Sequence, residues 1–397
     1  MPKYRLVDHE QIDHFWGSLM KKIAVVSDSF KGSVSSSEIC AIVAGEAKRF
    51  FPACEVVGLP VADGGEGTVD SFLECMPGEK VFVEAAGPNF ERRTAFYGRF
   101  GDTAIIEMAA AAGLPLVGDE KDPTLTTTYG VGELMRHALE AGAKRLVLAL
   151  GGSATNDGGC GAAAAMGTRF YDAAGEAFVP VGGTLSKIAR IENAETKRLL
   201  AGVAVVAMCD IDNPMHGGSG AAYVFAPQKG ASAEMVRLLD ADLVALDETL
   251  ARELGVHVAE IPGAGAAGAM GAGAVAFFGA RLNPGIETVL DTVRFEDRIA
   301  GADFVITGEG RLDSQSLRGK VVIGVSRRAK QAGVPVIAVV GDVGDDIEEA
   351  YHEGVTAIFS TNHLAIPFSE AKKRSALDYR LTIESIFRTL SALGAGK

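Results

Sequence analysis

The feature that most restricts the fold of this chain is a recurring order: a short apolar run, a turn rich in glycine and carboxylates, then a helix-forming stretch. Lys22–Ser27 is the first such run. It leads into Asp28-Ser29-Phe30-Lys31 and a segment in which Ser35 and Glu38 make a capping box and Ile39, Ile42, Val43, Ala47 and Phe50 share one face. Glu55–Val61 runs into Asp63-Gly64-Gly65-Glu66-Gly67-Thr68 and a second helix, with Thr68 expected to cap it. The order returns at the end of the chain, where Phe304–Thr307, Val334–Val340 and Thr356–Ser360 alternate with helices. Such alternation predicts a doubly wound parallel sheet with helices packed on its faces. Between these segments the rhythm changes. Val81–Ala86, Arg93–Phe100 and Thr103–Met108 are separated only by turns, a meander foreign to a doubly wound sheet, before α/β order resumes at Arg145–Leu150 and Val203–Met208. The expected architecture is a discontinuous doubly wound domain (21–78 and 286–397). Inserted at 79–285 is a second α/β domain containing a mixed sheet, and residues 1–20 form an N-terminal arm.

The charge balance narrows the partners. With 38 basic and 51 acidic residues the net charge is −13, so a polyanion such as nucleic acid is not an expected partner. A small anionic substrate remains compatible with a few well-placed cations. The five cysteines (Cys40, Cys54, Cys75, Cys160, Cys209) are scattered and never form C-x-x-C, which argues against a disulfide framework or structural zinc and for a reducing compartment. No membrane span is expected; the longest uncharged run, Ile261–Ala280, is mostly Ala and Gly and contains Pro262. Met1–Leu19 lacks the apolar core of a secretory signal, so the expected location is cytoplasmic. His9 and His14 stand five apart, not the four of a metal-binding helix face.

The densest motif is Gly151-Gly152-Ser153-Ala154-Thr155-Asn156-Asp157-Gly158-Gly159, placed between an apolar strand and a small-residue helix. Glycines there bring N–H groups against a ligand, and the helix N-terminus adds partial positive charge, so the loop suits an anion. An ordinary turn rich in Gly, Asn and Asp is the competing reading. Asp63 and Glu66 are hard oxygen ligands suited to magnesium, although a helix cap with a dipole partner explains much of that loop. Lys31 is a point charge for phosphate or carboxylate. In Gly308-Glu309-Gly310-Arg311-Leu312-Asp313, Arg311 offers a planar fork, while Glu309 and Asp313 can bind metal or act as base; a salt-bridged helix entry competes. Asp210-Ile211-Asp212-Asn213-Pro214 ends another strand and reads either as cleft lining or as an Asx-Pro turn. Loops at the carboxyl ends of parallel strands form the ligand crevice of such sheets, and their shared vocabulary favours a site. The run Gly263-Ala264-Gly265-Ala266-Ala267-Gly268 matches a dinucleotide fingerprint, but it follows Pro262 and opens an Ala/Gly-rich helix, which favours close helix packing. No Walker loop, nucleophile elbow or protein-kinase motif set is present.

Taken together, these loops, with Tyr129-Gly130-Val131-Gly132-Glu133-Leu134 and Phe225-Ala226-Pro227-Gln228-Lys229-Gly230, resemble the bacterial glycerate kinase family from about Met20 to near the C-terminus. The resemblance implies a Rossmann-like domain with an inserted α/β domain. It also implies ATP-dependent phosphorylation of D-glycerate with magnesium, members of this type giving 2-phosphoglycerate. Residues 1–19 have no counterpart in the family pattern, and Ala269 stands where the family usually has glycine. On this reading ATP and glycerate meet in an interdomain cleft. Gly151, Gly152, Ser153, Thr155, Asn156, Gly158 and Glu309 are the expected nucleotide contacts. Ser29, Lys31, Asp63, Glu66, Asn213 and Arg311 are expected around the substrate, and Asp63, Asp157 and Asp313 around Mg2+. Lys31, Asp210, Arg311 and Asp313 are expected to act in catalysis, Asp210 first and Asp313 second as acceptor of the hydroxyl proton. Assembly into a homo-oligomer is compatible with this reading. The competing functions are a dinucleotide-dependent oxidoreductase acting on a small hydroxy acid and a non-catalytic metabolite-binding protein.

Overall fold

The computed structural model describes residues 20–394 apart from 31–32, 60, 62–63, 120, 314–315, 317–319 and 346. The predicted arm before Met20, Lys31 and Asp63 therefore lie outside the described residues. In chain order the strands are β1 Lys22–Ser27, β2 Glu55–Gly58, β3 Glu79–Ala86, β4 Arg92–Phe100, β5 Thr103–Glu107 and β6 Arg145–Ala149. They continue with β7 Arg169–Tyr171, β8 Ala177–Phe178, β9 Arg190–Glu192, β10 Ala204–Met208 and β11 Arg281–Asn283. The last are β12 Phe304–Gly308, β13 Arg311–Leu312, β14 Val336–Val340, β15 Asp342–Val343 and β16 Val355–Ser360. The chain divides into two compact units, one of Met1–Val61 with Val289–Lys397, the other of Ala62–Thr288.

In the first unit β16-β14-β12-β1-β2 form a sheet in which every pairing is parallel. Its strands are covered on both faces, which is why they read as continuous apolar runs. Ile23, Val25, Ile306, Ile337 and Val339 pack with Ile39 and Val43 of helix Ser36–Phe50 and with Tyr379, Ile383 and Phe387 of helix Ser375–Gly394. Ala338 and Val340 instead meet Val322 and Ile323 of helix Val321–Gln331. The capping box expected at Ser35 and Glu38 is present at the start of helix Ser36–Phe50. The chain order reverses between β1 and β12, the switch point at which α/β sheets open a crevice. Ser27 pairs with Gly308, so Asp28 and Glu309 leave adjacent strands at the same end.

The second unit is built on a mixed sheet in the order β11-β10-β6-β5-β4-β3. The meander supplies its antiparallel half, β3 with β4 and β4 with β5, and β5 then joins β6 in parallel. A small antiparallel sheet, β8-β7-β9, has no counterpart in the sequence reading. Its strands are two or three residues long, too short to show alternation. Helix Ala266–Phe278 is interrupted near its start, where Ala267, Gly268 and Ala269 have φ of 55°, 67° and 64°.

Candidate functional site

In the second unit three parallel strands end in register, Glu107 opposite Ala149 and Ala149 opposite Met208. Their ends carry Glu107, the 151–159 loop and the 209–214 loop. The 151–159 loop is held by main chain. Gly151 N–H donates to the Gly64 carbonyl at 2.8 Å, Ala154 N–H to Ala112 O at 2.8 Å and Gly158 N–H to Gly268 O at 3.1 Å. A Cβ on Gly151 would stand 2.6 Å from the Gly65 Cα, so this contact with the 63–68 loop requires glycine. The N–H groups of Gly152 and Ser153 donate to no partner among the described residues. Gly152 is exposed with φ of 77°. Two successive unused amides at a glycine turn are suited to an anion.

Behind that tip the loop is densely polar. Asp157 is fully buried; its Oδ2 accepts from the Thr128 N–H and hydroxyl, both at 2.8 Å, and from Gly161 N–H at 3.2 Å. Its Oδ1 accepts from Gly159 N–H at 3.2 Å. Burial pushes its pKa up, and these donors pull it back. Both oxygens are thus engaged by protein donors, which gives Asp157 the part of a clamp between loop and following helix. Lys229 is also buried, and its Nζ donates to Ser153 Oγ at 2.9 Å and to Thr155 O at 2.6 Å. Thr155 Oγ1 and both amide atoms of Asn156 are buried without a partner among the described residues.

The 63–68 loop differs from expectation at its cap. Gly67, in a left-handed conformation, occupies the N-cap of helix Thr68–Cys75, and the Thr68 hydroxyl turns back to Gly65 O at 2.7 Å. The helix amides are met instead by Glu107, whose carboxylate accepts from Gly67 N–H at 3.2 Å and Val69 N–H at 2.6 Å. An acid reaching in from β5 is better placed than a hydroxyl whose own backbone is already helical. Glu66 is exposed. In the third loop, Asp210 accepts from Gly285 N–H at 2.7 Å, and Asn213 Nδ2 donates to Ser219 O at 2.8 Å. The Gly263–Gly268 run packs as expected. A Cβ on Gly265 would meet Pro214 O at 2.2 Å and one on Gly268 would meet Thr155 O at 2.0 Å. These glycines admit backbone from neighbouring loops and leave no room there for a dinucleotide.

The first unit brings a second group of predicted residues together at its switch point. Asp28 N–H donates to Gly308 O at 2.9 Å, and Asp28 Oδ1 accepts from Ser29 N–H at 2.7 Å. Glu309 is buried, and its Oε1 has no partner among the described residues. Burial pushes its pKa up to about 7, with Asp28 and Asp313 adding to the rise and Ser316 and Lys320 opposing it. Arg311 is well exposed and lies 3.6 Å from Asp313. Among the described residues no group of three His, Cys, Asp or Glu side chains is arranged to hold a metal ion, and no helix is long and apolar enough to cross a membrane. Glu107, Thr128 and Lys229 were missed as contributors. The signals were an acid closing an apolar strand, a threonine beside the Tyr129–Leu134 motif and a lysine inside the Phe225–Gly230 motif.

Two α/β units, each presenting glycine and carboxylate loops at the carboxyl ends of parallel strands, are the layout of an α/β enzyme acting on a small anionic substrate. The chain belongs to the glycerate kinase family, whose model matches residues 23–391. It is 43% identical over 368 residues to a glycerate kinase of Bacillus cereus, covering 92% of this chain and 97% of that protein. It is 44% identical over 342 residues to the glycerate 2-kinase of Escherichia coli, covering 85% and 90% respectively. The crystal structure of a provisionally named glycerate kinase 2 from Salmonella typhimurium superposes with a TM-score of 0.83 at 41% identity, covering 95% of this chain and 100% of that one. The chain is therefore a kinase by family, and neither competing function finds support.

Proposed function

We propose that the protein transfers the γ-phosphoryl group of ATP to the 2-hydroxyl of D-glycerate, giving 2-phosphoglycerate and ADP. The observation that carries this reading is the family match across residues 23–391, which contains every loop described above. The name of the Escherichia coli relative supports position 2. Phosphoryl transfer asks a protein for alignment and charge neutralisation rather than covalent chemistry.

In this reading the Gly152 and Ser153 amides receive nucleotide phosphate oxygens. Arg311 and Lys31 hold the glycerate carboxylate, with Ser29, Glu66 and Asn213 completing its contacts. Asp210 orients the acceptor hydroxyl and takes its proton, Asp313 being the second candidate. Magnesium would neutralise charge on the phosphate oxygens. It commonly keeps several waters and takes only one or two protein carboxylates. Asp313 and Asp63 would hold it, and Asp157, whose oxygens meet four protein donors, would not. Purified protein supplied with Mg–ATP and a panel of hydroxy acids should release ADP fastest with D-glycerate. Phosphorus NMR should place the ester on carbon 2; an ester on carbon 3, or no turnover of glycerate, overturns the assignment. Asp210→Asn should lower kcat by about 10²–10⁴-fold with little change in KM.

A further inference from the structure

A buried ammonium needs a compensating anion or a full set of acceptors, because removing it from water is costly. Lys229 has only neutral acceptors, Ser153 Oγ and Thr155 O, and forms no ion pair among the described residues. It ends a three-residue turn, Pro227–Lys229, closed by Gly230 in a left-handed conformation. This turn drives the side chain beneath the 151–159 loop. The acceptor hydroxyl belongs to Ser153, one of the two residues whose N–H groups are unused. Thr155 Oγ1 and the Asn156 amide, beside the other acceptor, are buried with no partner among the described residues. Positive charge, unused donors and unsatisfied polar atoms therefore converge on one loop.

We propose that Lys229 is a positioning residue for the nucleotide: its ammonium stations positive charge behind the 151–159 loop and, through Ser153 and Thr155, holds the loop in the shape that receives phosphate. This rests on the reading of that loop as the phosphate site. Lys229 does not touch the anion; it acts through the Ser153 hydroxyl and the main chain. Burial pushes its pKa down to about 7, and Asp157 on the same loop opposes the fall. Lys121 meets the neighbouring Gly230 with its main chain and Cβ. A bound phosphate chain would favour the ammonium form, so nucleotide binding above neutral pH should draw in a proton.

The test is calorimetric titration of the full-length protein with ADP at pH 8 in two buffers of different ionisation heat. Wild type should take up a fraction of a proton. Lys229→Met and Lys229→Gln, the second retaining donors without charge, should lose that uptake. Both should weaken ADP binding and raise KM for ATP by about 10- to 100-fold, as expected when a charge-assisted contact is lost. KM for glycerate should stay within threefold. Folded variants that bind ADP as wild type does, or a wild type that takes up no proton, overturn the proposal; if both variants fail to fold, the wild-type titration alone decides. Amide exchange over residues 150–160 separates the two levels. ADP binding without added protection there overturns the loop reading, whereas protection alongside unaffected variants overturns the role of Lys229 alone.

Discussion

Ala267 and Ala269 hold left-handed backbone angles, which disfavour a Cβ by about 1–2 kcal/mol per residue. The position is imposed by the loop in front, since Gly268 carries the carbonyl that receives Gly158 N–H. Ala269→Gly should relieve strain, offset partly by the greater freedom of glycine in the unfolded chain. The net gain should be about 0.5–1 kcal/mol, read as a rise of a few degrees in Tm. Glu309 is a residue-scale titration experiment. Its folded pKa of about 7 lies above the ordinary carboxylate value, so the native state binds the proton more tightly than the unfolded chain. The contribution of Glu309 to stability should therefore be fully present below about pH 4.5 and be lost as pH rises through about 7, by up to about 3 kcal/mol. Glu309→Gln should flatten that slope, visible as urea midpoints that differ less between pH 5 and pH 8 than those of wild type.

Among the elements, helix Thr68–Cys75 depends on an acid from another strand. Glu107→Ala would leave the Gly67 and Val69 amides without their acceptor. It should cost about 2–3 kcal/mol in urea unfolding, while Glu66→Ala, at an exposed position, should cost under about 0.5 kcal/mol. This cap also marks where sequence reading ran out. The strands were legible because burial on both faces writes itself as unbroken Val, Ile and Ala, and the Ser35 cap because both its partners lie within three residues. Glu107 is 38 residues from Val69, and nothing local announces that pairing. Lys229 and Ser153 are separated by 76 residues, and the same limit applies. Asp157 was legible as an important acid but not as a clamp, because its donors include Thr128 from a distant turn. The short β7–β9 sheet left no periodic trace at all.

At the scale of the whole molecule, one apolar cluster, built around Tyr97, Leu148, Leu243 and Met270, lies wholly within Ala62–Thr288. The clusters around Ile23 and around Val322 lie wholly outside it. Separate cores unfold as separate cooperative steps. Scanning calorimetry should therefore give a calorimetric enthalpy exceeding the van't Hoff value, and a ratio of one would show the two units melting together. The meeting of Gly151 with Gly65 has a longer-range consequence. There peptide touches peptide, with no side chain on either partner to exchange for another. Selection acting on single codons has almost nothing to vary at such a seam, so the seam is inherited whole or lost. Change must then be written elsewhere, in loops that do project side chains, as the 209–214 loop does with Asp210 and Asn213.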